Sequence, residues 1–309
     1  MANSNGWGDG AANNAIGWGQ GADNEIGWGD SHADSWAGLT DIVGVSAPSL
    51  LLDTYTSAAV AYSLRKLRTD YSGNTIRVRR SSDNAEQDFG FSGNDLDTAS
   101  LLTFCGVGNG FITTWYDQST NANNATQATA ANQAQIVASG ALILDVNTNK
   151  ITSTWTNDRY SLTTGISANT KYLSVSMFRR GGTSSDILVH LGNSASINPT
   201  PLLWLGTGSG YSVRSYMPTL LSFQNVSTFG RCIITSLKDG SNLKVAYRNG
   251  TQLTTTATQA PTATTLNTFG QASAYFTSGQ YQEYIYWNSE QSANRIGIET
   301  DINTYWDAY

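Results

Sequence analysis

Cys232-Ile233-Ile234-Thr235-Ser236-Leu237-Lys238-Asp239-Gly240-Ser241-Asn242-Leu243-Lys244-Val245-Ala246-Tyr247-Arg248-Asn249-Gly250-Thr251-Gln252 is the most legible run of the chain. Lys238-Asp239-Gly240 and Arg248-Asn249-Gly250 bracket the run Leu243 to Tyr247. Asp-Gly and Asn-Gly supply the positive φ angles that tight hairpin turns need, so the stretch reads as three antiparallel strands. Outward from it, Tyr281 to Trp287 reads as a late strand, as do Leu202 to Leu205, Ile187 to Leu191, Tyr172 to Phe178, Phe111 to Tyr116 and the alternating Ile76 and Val78. Only three helices are expected. Ser57 to Arg68 has helix-compatible apolar spacing. Thr98 to Cys105 has Asp97 to cap it and Gly106 to end it. Glu290 to Trp306 follows Asn288 or Ser289 as cap. Many short strands with few helices predict a mainly β, two-sheet antiparallel β-sandwich, a single domain over residues 46–309.

Composition narrows the class. Of 309 residues, 39% are hydrophobic and only 13% charged, so Ser, Thr, Asn and Gln carry much of the surface, while 15 Tyr, 9 Phe and 9 Trp supply core material. No stretch has the roughly 18 consecutive apolar residues of a membrane-spanning helix, and no secretory signal is read at the start. A net charge of -6 and pI near 4.8 argue against a nucleic-acid partner, whose phosphates call for a basic stripe. Arg65, Lys66, Arg68, Arg77, Arg79 and Arg80 form the one basic concentration and read as a solvated face. Cys105 and Cys232 read as two buried thiols, and no cofactor or metal motif is present. His32 and His190 fit no metal or triad pattern and read as structural. Asp83, Asp117 and the loop Asn121 to Asn124 read as turn residues in preference to calcium ligands.

Residues 1–45 differ from the rest. Gly6-Trp7-Gly8, Ile16-Gly17-Trp18-Gly19 and Ile26-Gly27-Trp28-Gly29 repeat at spacings of eleven and ten residues, with Trp36 following. No Lys or Arg precedes Arg65, whereas Asp9, Asp23, Glu25, Asp30, Asp34, Asp41 and Asp53 do. Interior glycines at roughly 1 kcal/mol each exclude a regular helix. A Trp between glycines is a large apolar anchor on a backbone able to approach another surface closely. The segment is therefore expected to be an extended N-terminal attachment arm, with Trp7, Ile16, Trp18, Ile26, Trp28 and Trp36 as anchors on a partner protein.

The blocks Ala61-Tyr62-Ser63-Leu64-Arg65, Ile76-Arg77-Val78-Arg79-Arg80-Ser81-Ser82-Asp83-Asn84, Thr114-Trp115-Tyr116-Asp117-Gln118-Ser119 and Asn124-Ala125-Thr126-Gln127-Ala128 resemble, in order and spacing, the catalytic module of α-L-arabinofuranosidase B, glycoside hydrolase family 54. The resemblance extends from about Pro48 to Tyr309 and implies a concanavalin A-like β-sandwich. The same module occurs in structural proteins of tailed bacteriophages, and the Gly-Trp-Gly repeats are similar to the N-termini of such proteins. That resemblance implies a virion component assembled in the bacterial cytoplasm and anchored to other virion proteins through residues 1–45. It further implies a homo-oligomer, with a trimer as one such form, that displays a fibre, decoration or host-binding appendage without membrane insertion.

Retaining glycosidases need two carboxylates about 5–5.5 Å apart. In alignment with the family, the nucleophile stretch falls on Gly192-Asn193-Ser194-Ala195 and the acid/base stretch near Phe269-Gly270-Gln271-Ala272, and neither holds a carboxylate. The resemblance thus implies a kept fold with the catalytic pair lost, and a non-enzymatic protein. The alternative is a glycosidase acting on host surface polysaccharide, whose acids would come from Asp83, Asp117, Asp158, Asp186 and Glu283. A third reading is carbohydrate binding without hydrolysis, for which Trp115, Tyr116, Asp117, Trp155 and Tyr160 combine aromatic faces with polar groups.

Overall fold

A computed structural model of the chain describes residues 49–167, 171–179, 187–197, 200–207, 210–216, 220–225, 230–241, 243–253, 257–258 and 265–309. The attachment-arm anchors Trp7, Ile16, Trp18, Ile26, Trp28 and Trp36 lie outside the described residues, as does Asp186.

The strand Tyr275–Trp287 organises the main sheet. It pairs antiparallel with Val60–Ser63, Ser153–Asp158 and Tyr172–Arg179 in turn. Tyr172–Arg179 then pairs with Arg231–Lys238, and that strand with Leu243–Arg248. On the other side Ile76–Arg80 lies between Glu86–Phe89 and Gly110–Trp115. A separate four-stranded sheet holds Ile187–Val189, Thr200–Thr207, Gly210–Tyr216 and Leu220–Asn225. All these pairings are antiparallel, and the fold is the expected β-sandwich with a few short helices. One buried cluster, rich in Trp, Tyr and Phe, forms the core.

The hairpin region forms as read, with one difference. Asn249 and Gly250 take φ of 52° and 74° and close a two-residue turn between Arg248 and Thr251. The Asp239-Gly240 turn is longer. Lys238 pairs with Lys244, and Asp239 Oδ1 accepts from the amides of Ser241 and Leu243. Here the aspartate side chain stands in for the backbone turn.

Helix α2, Thr98–Cys105, starts where Asp97 Oδ1 accepts from Ser100 N at 3.1 Å and stops at Gly106, φ 55°. Helix α3, Arg295–Trp306, begins later than expected, after Asn294. The expected helix Ser57 to Arg68 is not formed. A short α1, Leu51–Thr54, precedes it, and Val60–Ser63 is a strand buried at all four positions. A strand covered on both faces has no polar alternation, so its apolar run imitates helical spacing. Cys105 and Cys232 are buried free thiols.

Four of the six residues in the basic concentration are ion-paired, Arg65 with Glu283 and Asp301, Arg68 with Asp70, Arg77 with Asp88 and Arg80 with Asp83, and Arg65 is buried and not on the expected solvated face. Among the described residues no helix is long and apolar enough to cross a membrane.

Candidate functional site

Two stretches separated by more than seventy residues in sequence meet at one edge of the core. Leu191 pairs with Phe269 and Gly192 with Thr268. Gly270 N donates to His190 O at 3.1 Å, and Ser273 N to Asn193 O at 2.8 Å. Asn193 Nδ2 donates to Thr265 O and Ser194 N to Asn267 Oδ1. The approach is close enough to require glycine twice. A Cβ on Gly192 would lie 2.0 Å from Gln271 O. At Gly270, φ +82°, it would lie 2.5 Å from the Trp155 ring and 3.2 Å from Asp158 O. The stretches aligned with the family's two carboxylate motifs are therefore neighbours.

Asp158 borders this junction. It ends the strand Ser153–Asp158 just after a register shift, with Asn157 at φ 62°, while Thr156 and Asn157 are exposed. The Asp158 side chain turns back, and Thr156 N donates to Oδ2 at 2.6 Å. The residue is only 4% exposed. Burial pushes its carboxyl up to about 6, against the opposing pull of the Thr156 amide and Arg159. A carboxyl whose pKa is raised towards the operating pH is what a general acid/base needs.

The other sequence candidates for acid chemistry are engaged in structure. Asp83 pairs with Arg80 and accepts from Ala85 N. Asp117 is buried and accepts from the amides of Ala61, Ser119 and Asn123 and from Ser119 Oγ, fixing its loop to the neighbouring strand. Glu283 is buried beneath α3 against Arg65, Ser63 and Trp306. Among the described residues no group of three or more His, Cys, Asp or Glu could hold a metal ion.

The aromatic candidates for a sugar platform are placed differently from the expectation. Trp115, Trp155 and Tyr160 are each 1% exposed and pack around Phe269. Tyr160 OH donates to Ile112 O and accepts from Ala134 N, and Trp155 Nε1 donates to Ser153 Oγ. They are core residues with no face open to a sugar, because one aromatic cluster fills the space between the sheets. Tyr116 is half-buried, and its hydroxyl donates to Asp88 Oδ1 at 2.6 Å beside the Arg77 pair. The structure does not bring Tyr116 and Asp117 together with the junction of residues 191–195 and 268–272.

His190 sits at the junction's inner end, fully buried between Ser174 Oγ at 2.6 Å from Nδ1 and Ser176 Oγ at 2.9 Å from Nε2. Burial holds its imidazole down at about 3, so it is neutral at ordinary pH. The serines that hold it alternate in the run Tyr172 to Phe178, a polar stripe on a buried strand that the reading of the run as a strand left unused.

These two groups oppose each other in acid. The raised Asp158 contributes stability below its unfolded value near 4, and loses that contribution as pH rises to 6. The depressed His190 contributes above its unfolded value of 6.5, and loses that contribution as pH falls towards 3. Asp158→Asn is therefore expected to stabilise the protein by about 2 kcal/mol at pH 7, with no difference from wild type below about pH 4. Urea unfolding of both proteins from pH 4 to 8 measures it; a difference that does not change with pH removes Asp158 as the titrating group.

The sequence model of the family described as "Alpha-L-arabinofuranosidase B, catalytic" matches residues 52–176. No curated protein sequence matches the chain. Among solved structures, an arabinofuranosidase complexed with arabinofuranosyl-α-1,2-xylobiose is similar at a TM-score of 0.61 and 15% identity, over 82% of this chain and 64% of that one. A family 54 α-L-arabinofuranosidase soaked with a cyclic sulfate inhibitor is similar at 0.61 and 14%, with the same coverage. The chain thus spans 64% of the length of these enzymes. The expectation of a non-enzymatic protein is corrected by these findings, because the matched family model is that of a catalytic domain and the solved structures similar in fold are arabinofuranosidases. Residues 52–176 match the sequence model of the arabinofuranosidase B catalytic family, and the described domain is similar in fold to such enzymes.

Proposed function

We propose that the domain is a glycosidase acting on α-L-arabinofuranosides, with Asp158 as its acid/base. The observation that carries this reading is the match of residues 52–176 to a catalytic family model. Asp158, with its carboxyl pushed up to about 6 at the glycine-bound junction, supports it at residue level. In a retaining reaction the protonated acid gives its proton to the leaving-group oxygen while a second carboxylate attacks the anomeric carbon, and water then releases the sugar. We assign the second role to Asp186, the remaining sequence candidate, which lies outside the described residues.

The test uses 4-nitrophenyl α-L-arabinofuranoside, a ligand named with one of the similar enzymes. The wild-type protein is expected to release nitrophenol, and Asp158→Asn to lower kcat by about 10²–10⁴-fold with little change in KM. Folded wild-type protein that releases none refutes the reading.

For residues 1–45 a second proposal rests on the spacing of Trp7, Trp18, Trp28 and Trp36. The arm attaches the domain to a larger particle, a virion in the setting its repeats resemble. Pull-down from disrupted particles is expected to capture a partner with the full chain and not with residues 46–309. Equal capture by both baits removes the arm as anchor.

A further inference from the structure

Where the end of α3 meets the start of α2 and the turn 145–150, the surface opens into a pocket of about 260 Å³. The buried part of its lining is apolar, made of Leu64, Leu96 and Trp306, and the Trp306 indole N–H is already taken by Glu283. The less buried part carries four polar side chains, Asp95, Thr98, Asn149 and Lys150. Among the described residues no hydrogen bond engages Asp95 Oδ2, Thr98 Oγ1, the Asn149 side-chain amide or Lys150 Nζ.

The charged groups are held in place without a ligand. The Tyr305 hydroxyl donates to Asp95 Oδ1, and Lys150 Nζ lies over the Tyr305 ring at 4.2 Å. In the turn, Asp145 N donates to Lys150 O at 2.8 Å, and Asp145 Oδ1 accepts from Asn147 N at 2.9 Å. An apolar recess edged by a few fixed polar groups is the general form of a small-molecule site. Its volume falls just under the roughly 300–1,000 Å³ of sites for larger ligands, so it suits a single ring. Asp95 and Lys150 decide the charge. An anion meets the carboxylate and a cation the ammonium, while a wholly apolar guest takes both out of water without a partner. A hydroxyl can donate to the first or accept from the second.

We infer that this pocket binds one neutral sugar ring, with the C–H face on the apolar lining and hydroxyls on Asp95 and Lys150. Ile151, also in the lining, and Asp158 lie at the two ends of an extended run, about 20 Å apart at roughly 3.3 Å per residue. The pocket is therefore separate from the junction that holds Asp158, and binding there does not require the glycosidase reading.

Ligand-observed NMR of the full chain tests this with L-arabinose and D-xylose, the sugar types of the ligand named with one similar enzyme, and with D-glucuronate as a charged counterpart. The variants are Leu144→Trp and Lys150→Ala. Leu144 lines the pocket and is 37% exposed, so a larger ring there fills the space without entering the core. Wild type is expected to bind at least one neutral sugar with Kd on the order of 1 mM, and glucuronate at least about tenfold more weakly. Leu144→Trp is expected to weaken the neutral sugar by about tenfold or more; should it not fold, Lys150→Ala decides in its place. No turnover is measured, so a protein that binds sugar here and hydrolyses none keeps the pocket and loses only the catalytic reading. Binding of neither sugar, or equal binding by wild type and the deciding variant, as a sugar held only beside Asp158 gives, overturns the proposal. Glucuronate bound as tightly as the neutral sugar overturns it too.

Discussion

Glu283→Ala is expected to lower the unfolding free energy by about 3–5 kcal/mol, the largest loss from any single carboxylate in the domain. Glu283 Oε2 accepts from Ser63 Oγ at 2.8 Å, Arg65 Nε at 2.7 Å and Trp306 Nε1 at 2.8 Å, while Oε1 accepts from Arg65 Nη2 at 3.1 Å. The two side chains are 5% and 0% exposed. Removing the carboxylate strands a buried guanidinium with Asp301 alone, and leaves the Ser63 O–H and the Trp306 indole N–H without an acceptor. Glu283→Gln keeps an acceptor and loses less. The double variant Arg65→Met, Glu283→Leu removes both charges together and is expected to recover most of the loss, as apolar replacements of buried pairs do. Urea denaturation of the single and double variants closes the cycle. A Glu283→Ala protein within 1 kcal/mol of wild type shows that the network is not held as described.

Gly270→Ala is expected to cost about 2–4 kcal/mol. Part is conformational, since φ +82° disfavours any residue with a Cβ by about 1–2 kcal/mol. The rest is steric, because the new carbon meets Trp155 at 2.5 Å and overpacking a filled core costs about 1–3 kcal/mol. Gly93→Ala separates the two. Gly93 also has positive φ, 65°, but a Cβ there meets nothing within 4 Å, so only the conformational part is expected. Near-equal losses in the two variants defeat the steric argument. Any displacement of Trp155 is also expected to reach Asp158 through the strand they share, so Gly270→Ala tests the site as well as the core.

The legible parts of the fold were those written in local chemistry. Asn249-Gly250 specified a two-residue turn, and Asp97 with Gly106 specified both ends of α2, because caps and positive-φ turns are decided within a few residues. Val60–Ser63 was misread because its burial comes from partners more than two hundred residues away, which no local spacing reports. The site was partly legible. Alignment with the family placed residues 192–195 and 269–272 together, and the register of Leu191 with Phe269 agrees. Asp158 was among the candidate acids, but its raised pKa depends on a bulge that only three-dimensional packing creates. Trp115, Trp155 and Tyr160 drew notice as sugar-binding types, yet an aromatic ring has the same letter in a core as on a surface.

The position of Tyr275–Trp287 near the C-terminus also sets a timetable for biosynthesis. Val60–Ser63, Ser153–Asp158 and Tyr172–Arg179 each pair along one edge with it, so three strand edges leave the ribosome before their common partner exists. At about 5–20 residues per second the wait between the first and the last of these strands is roughly 10–40 s. During that interval the nascent polypeptide carries open edges and an unfilled aromatic interior, the condition that invites intermolecular strand pairing. Truncated polypeptides ending before residue 275 are therefore expected to aggregate or be proteolysed more readily than the full chain, as soluble yield of each measures.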